Sequence, residues 1–212
     1  MSLQDDLRLA WEETLPGRPG LGEELWRRWT EPHRRYHDPR HLAETLVALA
    51  VVGGDAGDPR VTRLAVWFHD AVLTGAADDE QRSADLATSR LAAAGVGGAD
   101  VEEVCRLILV TRHHRPAAGD ASGAAVSDAD LAILAGHPDR YDESVRDLRR
   151  ERTHLGLAWR TWREPLLRAR LAADVYFTVA GRSAFASDAV ANMRRELAAA
   201  SGTAVRRRAS PT

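Results

Sequence analysis

The chain has 212 residues, with 29 basic and 31 acidic side chains and a single cysteine. Every basic residue is arginine, which excludes Schiff-base chemistry on lysine and a phosphate-binding P-loop with its lysine. The lone Cys105 excludes an internal disulfide framework, and the formal net charge of −2 gives no general attraction to nucleic acid or anionic membranes.

Apolar residues recur at helical spacing along most of the chain, and no segment alternates with the period of two that marks a half-buried strand. Glycine and proline separate the segments. The pattern predicts helices over residues 3–15, 21–31, 39–53, 58–74, 79–95, 98–113, 127–136, 139–155, 158–180 and 184–200. We therefore expect an all-α fold with one helical domain over residues 1–200, followed by a disordered tail over 201–212.

Several of these helices begin at side chains that suit an N-cap. The Asp-Pro pairs at 38–39 and 58–59 each place an acceptor just before a proline at the first helical position. Ser127 or Asp128 is predicted to cap the helix that contains LAIL. The preceding segment, 114–125, is rich in small and polar residues and is predicted to be a loop.

No segment indicates a membrane or secreted protein. The longest apolar runs, 47–52 and 64–68, are far too short to cross a bilayer, and the acidic N-terminus is unlike a signal peptide. We expect a cytoplasmic protein without a membrane or nucleic-acid polymer as partner. Its oligomeric state stays open, with a homo-oligomer as one option.

Most of the eight histidines lie beside an acid or another histidine. The groups are His33, His37 and His41 in PHRRYHDPRHL, His69-Asp70 in FHDAV, His113-His114 in ILVTRHH, and the acids Asp128 and Asp130 in SDADLAILAG. A charged Asp70 within an apolar helix needs a partner, and a metal ion is one that satisfies it. Nitrogen and oxygen ligands on converging helices indicate a divalent metal site.

Each group also has an interpretation without a metal. His33 and His37 are favoured as surface residues or as neighbours of the ligands. His113 or His114 can act as a cation at a helix C-terminus, where the dipole favours positive charge. Asp128 is favoured as a helix cap.

The order of a histidine, a His-Asp pair and a later aspartate resembles the HD superfamily of metal-dependent phosphohydrolases. The similarity extends over residues 31–197, and in detail the chain resembles a bacterial subgroup through PHRRYHDPRHL, FHDAV, DDEQRSA, ILVTRHH, DADLAILAG and ANMRREL. This resemblance implies a helical bundle of the HD-domain type. It also implies a divalent ion (Mn, Fe, Co, Ni, Zn or Mg) held by His41, His69, Asp70 and Asp130.

The resemblance further implies hydrolysis of a small-molecule phosphate ester, a nucleotide or another phosphorylated metabolite, through a metal-activated water. The enzyme would be a phosphomonoesterase or a phosphodiesterase. Asp70 or Glu80 would orient the water or accept its proton. Members with an acid just after the pair differ from this chain, where Ala-Val-Leu follows Asp70, and the nearest candidate for the catalytic acid is Glu80 on the next predicted helix.

Other side chains near these motifs are candidates for a second metal ion or for the phosphate. They are His37, His113, His114, Arg40 and Arg112. The arginines are included because a guanidinium binds phosphate through two parallel hydrogen bonds. Two alternatives stay open: a di-iron oxygenase, which needs a second metal near His113 or His114, and a non-catalytic nucleotide-binding module on the same fold.

Overall fold

The computed structural model describes the backbone of residues 2–208 and the side chains of residues 2–200. The helices are α1 (Leu3–Thr14), α2 (Pro19–Trp29), α3 (Pro39–Val52), α4 (Pro59–Phe68), α5 (Asp79–Ala93), α6 (Gly98–Thr111), α7 (Ala121–Asp130), α8 (Pro138–His154), α9 (Arg160–Leu171) and α10 (Val179–Arg208). Short 3₁₀ turns span Gly53–Asp55 and Leu131–Ala135. No strand occurs among the described residues, so the predicted all-α class is confirmed.

Two apolar cores organise these helices. The first core lies among α1–α7 and includes the buried Trp29, Trp67 and Phe68. The second core lies among the 3₁₀ turn at Leu131–Ala135 and helices α8–α10, around side chains such as Tyr141. Helix α7 passes from one core to the other. No described helix has the length and apolar character that crossing a membrane requires.

The predicted starts of α3 and α4 are confirmed. The Asp38 carboxylate accepts the backbone N–H groups of Arg40 and His41, at 2.9 and 3.1 Å. The Asp58 carboxylate accepts the N–H of Arg60 at 2.7 Å. In each case proline follows at the first helical position, where no N–H is needed. The cap at Asp38 places His41 in the first turn of α3.

The prediction that a helix continues to residue 74 is wrong, because α4 ends at Phe68. Side chains from other segments bind the backbone just beyond it. Ser83 Oγ accepts the N–H of Val72, and His33 Nε2 donates to the carbonyl of Leu73 at 2.7 Å. Asp79 accepts the N–H groups of residues 74 and 75. These tertiary hydrogen bonds replace those of a continuing helix.

The predicted loop over 114–125 is confirmed only as far as residue 120, and the predicted cap at Ser127 or Asp128 is wrong. Helix α7 begins at residue 121, and its N-cap is Asp120, which accepts the N–H of Gly123 at 2.8 Å. Small residues in this segment are buried instead of forming a loop. Close packing of these small side chains therefore decides the structure here, although their own helical pattern is weak.

The helix predicted over 158–180 is interrupted, since α9 ends at Leu171 and α10 begins at Val179. Asp128 accepts the backbone N–H groups of Phe177 and Thr178, both at 2.8 Å, and so holds the start of α10. Helix α10 is assigned through residue 208, into the predicted tail. Residues 209–212 of that tail lie outside the described residues.

Candidate metal centre

The four side chains expected to bind a metal ion meet at the boundary between the two cores. His41 lies in the first turn of α3, His69 and Asp70 directly follow α4, and Asp130 is the last residue of α7. His41 Nε2 lies 3.0 Å from Asp130 Oδ1, and His69 Nε2 lies 3.0 Å from Asp70 Oδ2. Segments far apart in the chain thus converge on one cluster.

The imidazole nitrogens at the centre of this cluster are buried and lack hydrogen-bond partners. This holds for Nε2 of both His41 and His69, because their close approaches to carboxylate oxygens do not have hydrogen-bond geometry. His69 Nδ1 donates to the Val66 carbonyl at 2.8 Å, which directs Nε2 toward the cluster. Burial lowers the pKa of His69, but Asp70 and Asp130 outweigh it and raise the pKa well above its ordinary value, so a bound ion would take the place of the Nε2 proton. Ligand atoms of His41, His69 and Asp130 lie within 4.8 Å of one another. This donor set fits a divalent cation.

Asp70 lies among three histidines. Its Oδ2 is 3.0 Å from Nε2 of His69, 3.8 Å from Nε2 of His37 and 3.9 Å from Nε2 of His41. Burial raises the pKa of Asp70, but His69 and His37 outweigh it and hold the pKa below its ordinary value. Burial likewise raises the pKa of Asp130, and the facing histidines lower it well below normal. Both acids are therefore carboxylates at neutral pH, the form that binds metal.

Glu151 on α8 is a buried acid that the sequence analysis did not single out. Its Oε2 accepts the backbone N–H groups of Arg35, Tyr36 and His37 at 2.9, 3.1 and 3.1 Å, and its Oε1 accepts Nδ1–H of His37. Burial raises the pKa of Glu151, but His37 and these N–H groups lower it to about 2. The carboxylate thus fixes the segment before α3. No local signal in RRERTHL distinguishes Glu151 from its exposed neighbours.

His37 lies between two carboxylates. Its Nδ1 bonds to Glu151, and its Nε2 faces Asp70. Burial lowers the pKa of His37, but Glu151 and Asp70 outweigh it and raise the pKa to about 9. Without a bound ion, His37 is therefore a cation at neutral pH, and it presents an Nε2–H toward the cluster.

His114 contacts the cluster from the opposite side of Asp130. Its Nε2 lies 3.6 Å from Asp130 Oδ2, whereas His41 and His69 approach Oδ1. Burial lowers the pKa of His114 to about 4, so the imidazole is neutral. The residue has φ of 50°, a left-handed conformation that costs free energy for any residue with a Cβ. Such strain is concentrated at functional positions.

The remaining candidates lie apart from the cluster. The carboxylate of Glu80 makes no hydrogen bond or ion pair with the residues that the structure describes. Arg40 is exposed and ion-paired with glutamates of α3 and α8. Arg112 donates to the carbonyl of Ala77 at 3.0 Å, and His113 is exposed. The structure therefore brings His37 and His114 to the centre and leaves the other four outside.

No family model, curated protein or solved structure matches the chain. The fold and the site define an all-helical protein with a group of two histidines and an aspartate that could hold a metal ion.

Proposed function

We propose that this protein is a metal-dependent phosphohydrolase of the HD type that acts on a small phosphorylated metabolite. One observation carries the proposal: the buried Nε2 atoms of His41 and His69 lack hydrogen-bond partners and face Asp130. Buried polar atoms without partners are rare in folded proteins, and a ligand ion accounts for both at once. Asp70, 3.0 Å from His69 Nε2, is the further ligand.

These four residues offer two neutral nitrogens and two carboxylates, a set that divalent ions such as Mn, Fe, Co, Ni, Zn or Mg accept. An ion bound there supplies Lewis acidity toward a phosphoryl oxygen and lowers the pKa of water. The order of His41, His69-Asp70 and Asp130 along the chain is also that of the HD superfamily, which the sequence resembles. The helical fold is compatible with that superfamily.

His37 completes the chemistry of hydrolysis in this proposal. An oxygen that leaves phosphorus needs a proton, and a positioned side chain that supplies it accelerates the step. His37 Nε2 carries a proton beside Asp70, while Glu151 holds Nδ1 from behind. We assign His37 the role of donating that proton or a hydrogen bond to the substrate.

The proposal is tested with purified protein stripped of metal by a chelator and reloaded with each of the six divalent ions. Metal stoichiometry is measured by elemental analysis, and phosphate release is followed over a panel of phosphate esters. We expect one of the ions to bind and to support release, and Asp70→Ala to lose both. Wild-type protein that binds metal and cleaves nothing would contradict phosphohydrolase activity and leave a non-catalytic nucleotide-binding module.

One contact favours a second candidate, a di-iron oxygenase. Asp130 presents Oδ1 to His41 and His69 but Oδ2 to His114, so its carboxylate has ligand neighbours on both oxygens. Asp130 and His114 would then help to hold the second of two irons, and such a pair would supply oxygen activation. Two irons per chain after aerobic purification, without phosphate release, would support this candidate over hydrolysis.

A further inference from the structure

A cavity of about 750 Å³ lies beside the metal centre, between the end of α6 and helix α9. This volume is within the range of small-molecule binding sites. Four arginines and two histidines line the cavity, and no acid is among the described residues that line it. The lining is therefore suited to an anion.

Arg170 on α9 is the notable arginine of this cavity. The residue is half-buried, and its guanidinium makes no hydrogen bond or ion pair with any described residue. By contrast, the buried Arg163 on the same helix donates two hydrogen bonds of 2.9 Å to Glu196. Burial lowers the pKa of Arg170, yet an arginine keeps its charge in proteins. A charged group with several N–H donors thus lines the cavity without a hydrogen-bond acceptor among the described residues.

The other three arginines that line the cavity differ in whether an acid compensates their charge. Arg106 is neutralised by ion pairs with Glu103 and Asp120. Arg112 donates to a backbone carbonyl, which leaves its charge uncompensated. Arg115 is exposed and has no hydrogen bond or ion pair among the described residues. The cavity therefore carries an excess of positive charge.

His114 connects this cavity with the metal centre. The side chain lines the cavity, and its Nε2 lies 3.6 Å from Asp130 Oδ2. The charge of Asp130 also acts on the guanidinium of Arg170. A ligand in the cavity would consequently lie one side chain away from the ion that Asp130 is proposed to hold.

We propose that this cavity binds a phosphate group of the substrate other than the one that is hydrolysed, and that Arg170 is the side chain that holds it, assisted by Arg115. A guanidinium matches two oxygens of one phosphate through parallel hydrogen bonds. The inference rests on the proposed function and narrows it: the substrate is a small molecule with at least two phosphate groups.

The test is calorimetric binding of inorganic pyrophosphate to the metal-free full-length protein. We expect wild type to bind and Arg170→Gln to bind about tenfold more weakly, because a charge-assisted hydrogen-bond pair is lost. The control is Arg168→Gln on the same helix, whose arginine is exposed and paired with Glu164 at 2.8 Å, and we expect its affinity to equal that of wild type. Absence of binding to wild type, or equal loss in both variants, would overturn the inference.

Further measurements separate loss of the binding site from misfolding of the variant. Circular dichroism checks that Arg170→Gln is helical. Arg170→Lys keeps the charge but loses the planar fork, so we expect an affinity between those of wild type and Arg170→Gln. Arg115→Gln removes an exposed side chain and should weaken binding by about threefold. Pyrophosphate binding that neither Arg170→Lys nor Arg115→Gln alters would contradict the proposed cavity.

Failure of this inference can be separated from failure of the proposed function. Pyrophosphate binding by metal-free protein needs no hydrolysis, so it can succeed where every ester in the panel stays intact. If metal-loaded protein does hydrolyse esters, Arg170→Gln should raise KM about tenfold for substrates with two phosphates and leave KM for p-nitrophenyl phosphate unchanged. An equal rise in KM for both kinds of substrate would contradict a second phosphate site. The proposed hydrolase activity would not be affected by that result.

Discussion

The two apolar cores contribute different groups to the candidate site. Helices of the first core position the candidate histidine and aspartate ligands, and α7 ends at Asp130. Helices of the second core carry Glu151, which holds His37, and Arg170, which lines the cavity. In the proposed function, the residues that would hold the metal ion and those that would contact the substrate therefore belong to different parts of the fold. Changes in α8 and α9 should therefore alter turnover or substrate affinity without removing the metal.

Two aspartates of α7 show the same division within one helix. Asp128 is buried and saturated by hydrogen bonds from the backbone that precedes α10. Asp130 lies two residues further on and faces His41 and His69 instead. One acid thus joins the second core to α7, and the other belongs to the candidate metal centre.

The largest expected effect is that of Asp130→Ala. The variant loses the carboxylate that faces both unpartnered imidazole nitrogens, so we expect its metal content to fall to background in elemental analysis. Its helical circular dichroism should persist. The control, Asp128→Ala, should retain metal and lower the free energy of unfolding by about 3 kcal/mol, because buried N–H groups lose their acceptor. The opposite pattern would show that Asp128 is the ligand.

Glu151→Gln should reduce kcat by about tenfold to a hundredfold while metal content stays unchanged. The glutamine amide cannot accept from Nδ1–H of His37 and the three backbone N–H groups as the carboxylate does. Glu143→Gln on the same helix is the control, since its partly exposed carboxylate pairs with Arg40 and Arg140 and not with His37. Equal loss of kcat in both variants would contradict a role for Glu151 in positioning His37.

The metal-free protein should become less stable as pH rises above neutrality. The folded pKa of His37 is about 9, above its ordinary value of about 6.5. The stabilisation from Glu151 and Asp70 is therefore complete below about pH 6.5 and is lost as pH rises through 9. We expect the free energy of urea unfolding to fall by about 2 kcal/mol over this range. If the free energy of unfolding of His37→Gln falls by the same amount over this pH range, the loss of stability comes from another titrating group.

Arg40→Gln should have the smallest effect. Arg40 is exposed and already ion-paired with Glu44 and Glu143, and exposed pairs of this kind contribute at most about 1 kcal/mol to stability. Kinetics on any hydrolysed ester should show KM within about twofold of wild type. A tenfold rise would restore Arg40 as a phosphate ligand and weaken the assignment of that role to α9.

Local interactions explain which parts of the fold could be predicted from the sequence. The caps at Asp38 and Asp58 depend on residues within three positions, so the sequence pattern was sufficient for them. The end of α4 and the break before α10 depend on partners such as Ser83 and Asp128, which are distant in the chain. Helical periodicity continues through both points and carries no signal of those partners.

The candidate site likewise combines residues that local motifs identify with residues whose role depends on distant partners. The motifs were sufficient to select His41, His69-Asp70 and Asp130, which do come together in the structure. Glu151 stands in a run of charged residues, and its partners lie over a hundred positions away. Arg170 likewise resembles its neighbour Arg168 in sequence. Only burial and the identity of the tertiary neighbours separate these side chains from a solvated surface.

By itself, the sequence determined an all-helical chain with candidate histidine and aspartate ligands and with arginine and histidine as its only cationic side chains. Helical periodicity and residue type are local properties, so both can be taken from the chain alone. The tertiary structure decided which acid of α7 faces the histidines, which acid holds His37, and that Arg170 lies beside the centre with no hydrogen bond or ion pair to the described residues. Those outcomes depend on packing between the two cores, because only packing determines which charges are compensated and which remain available.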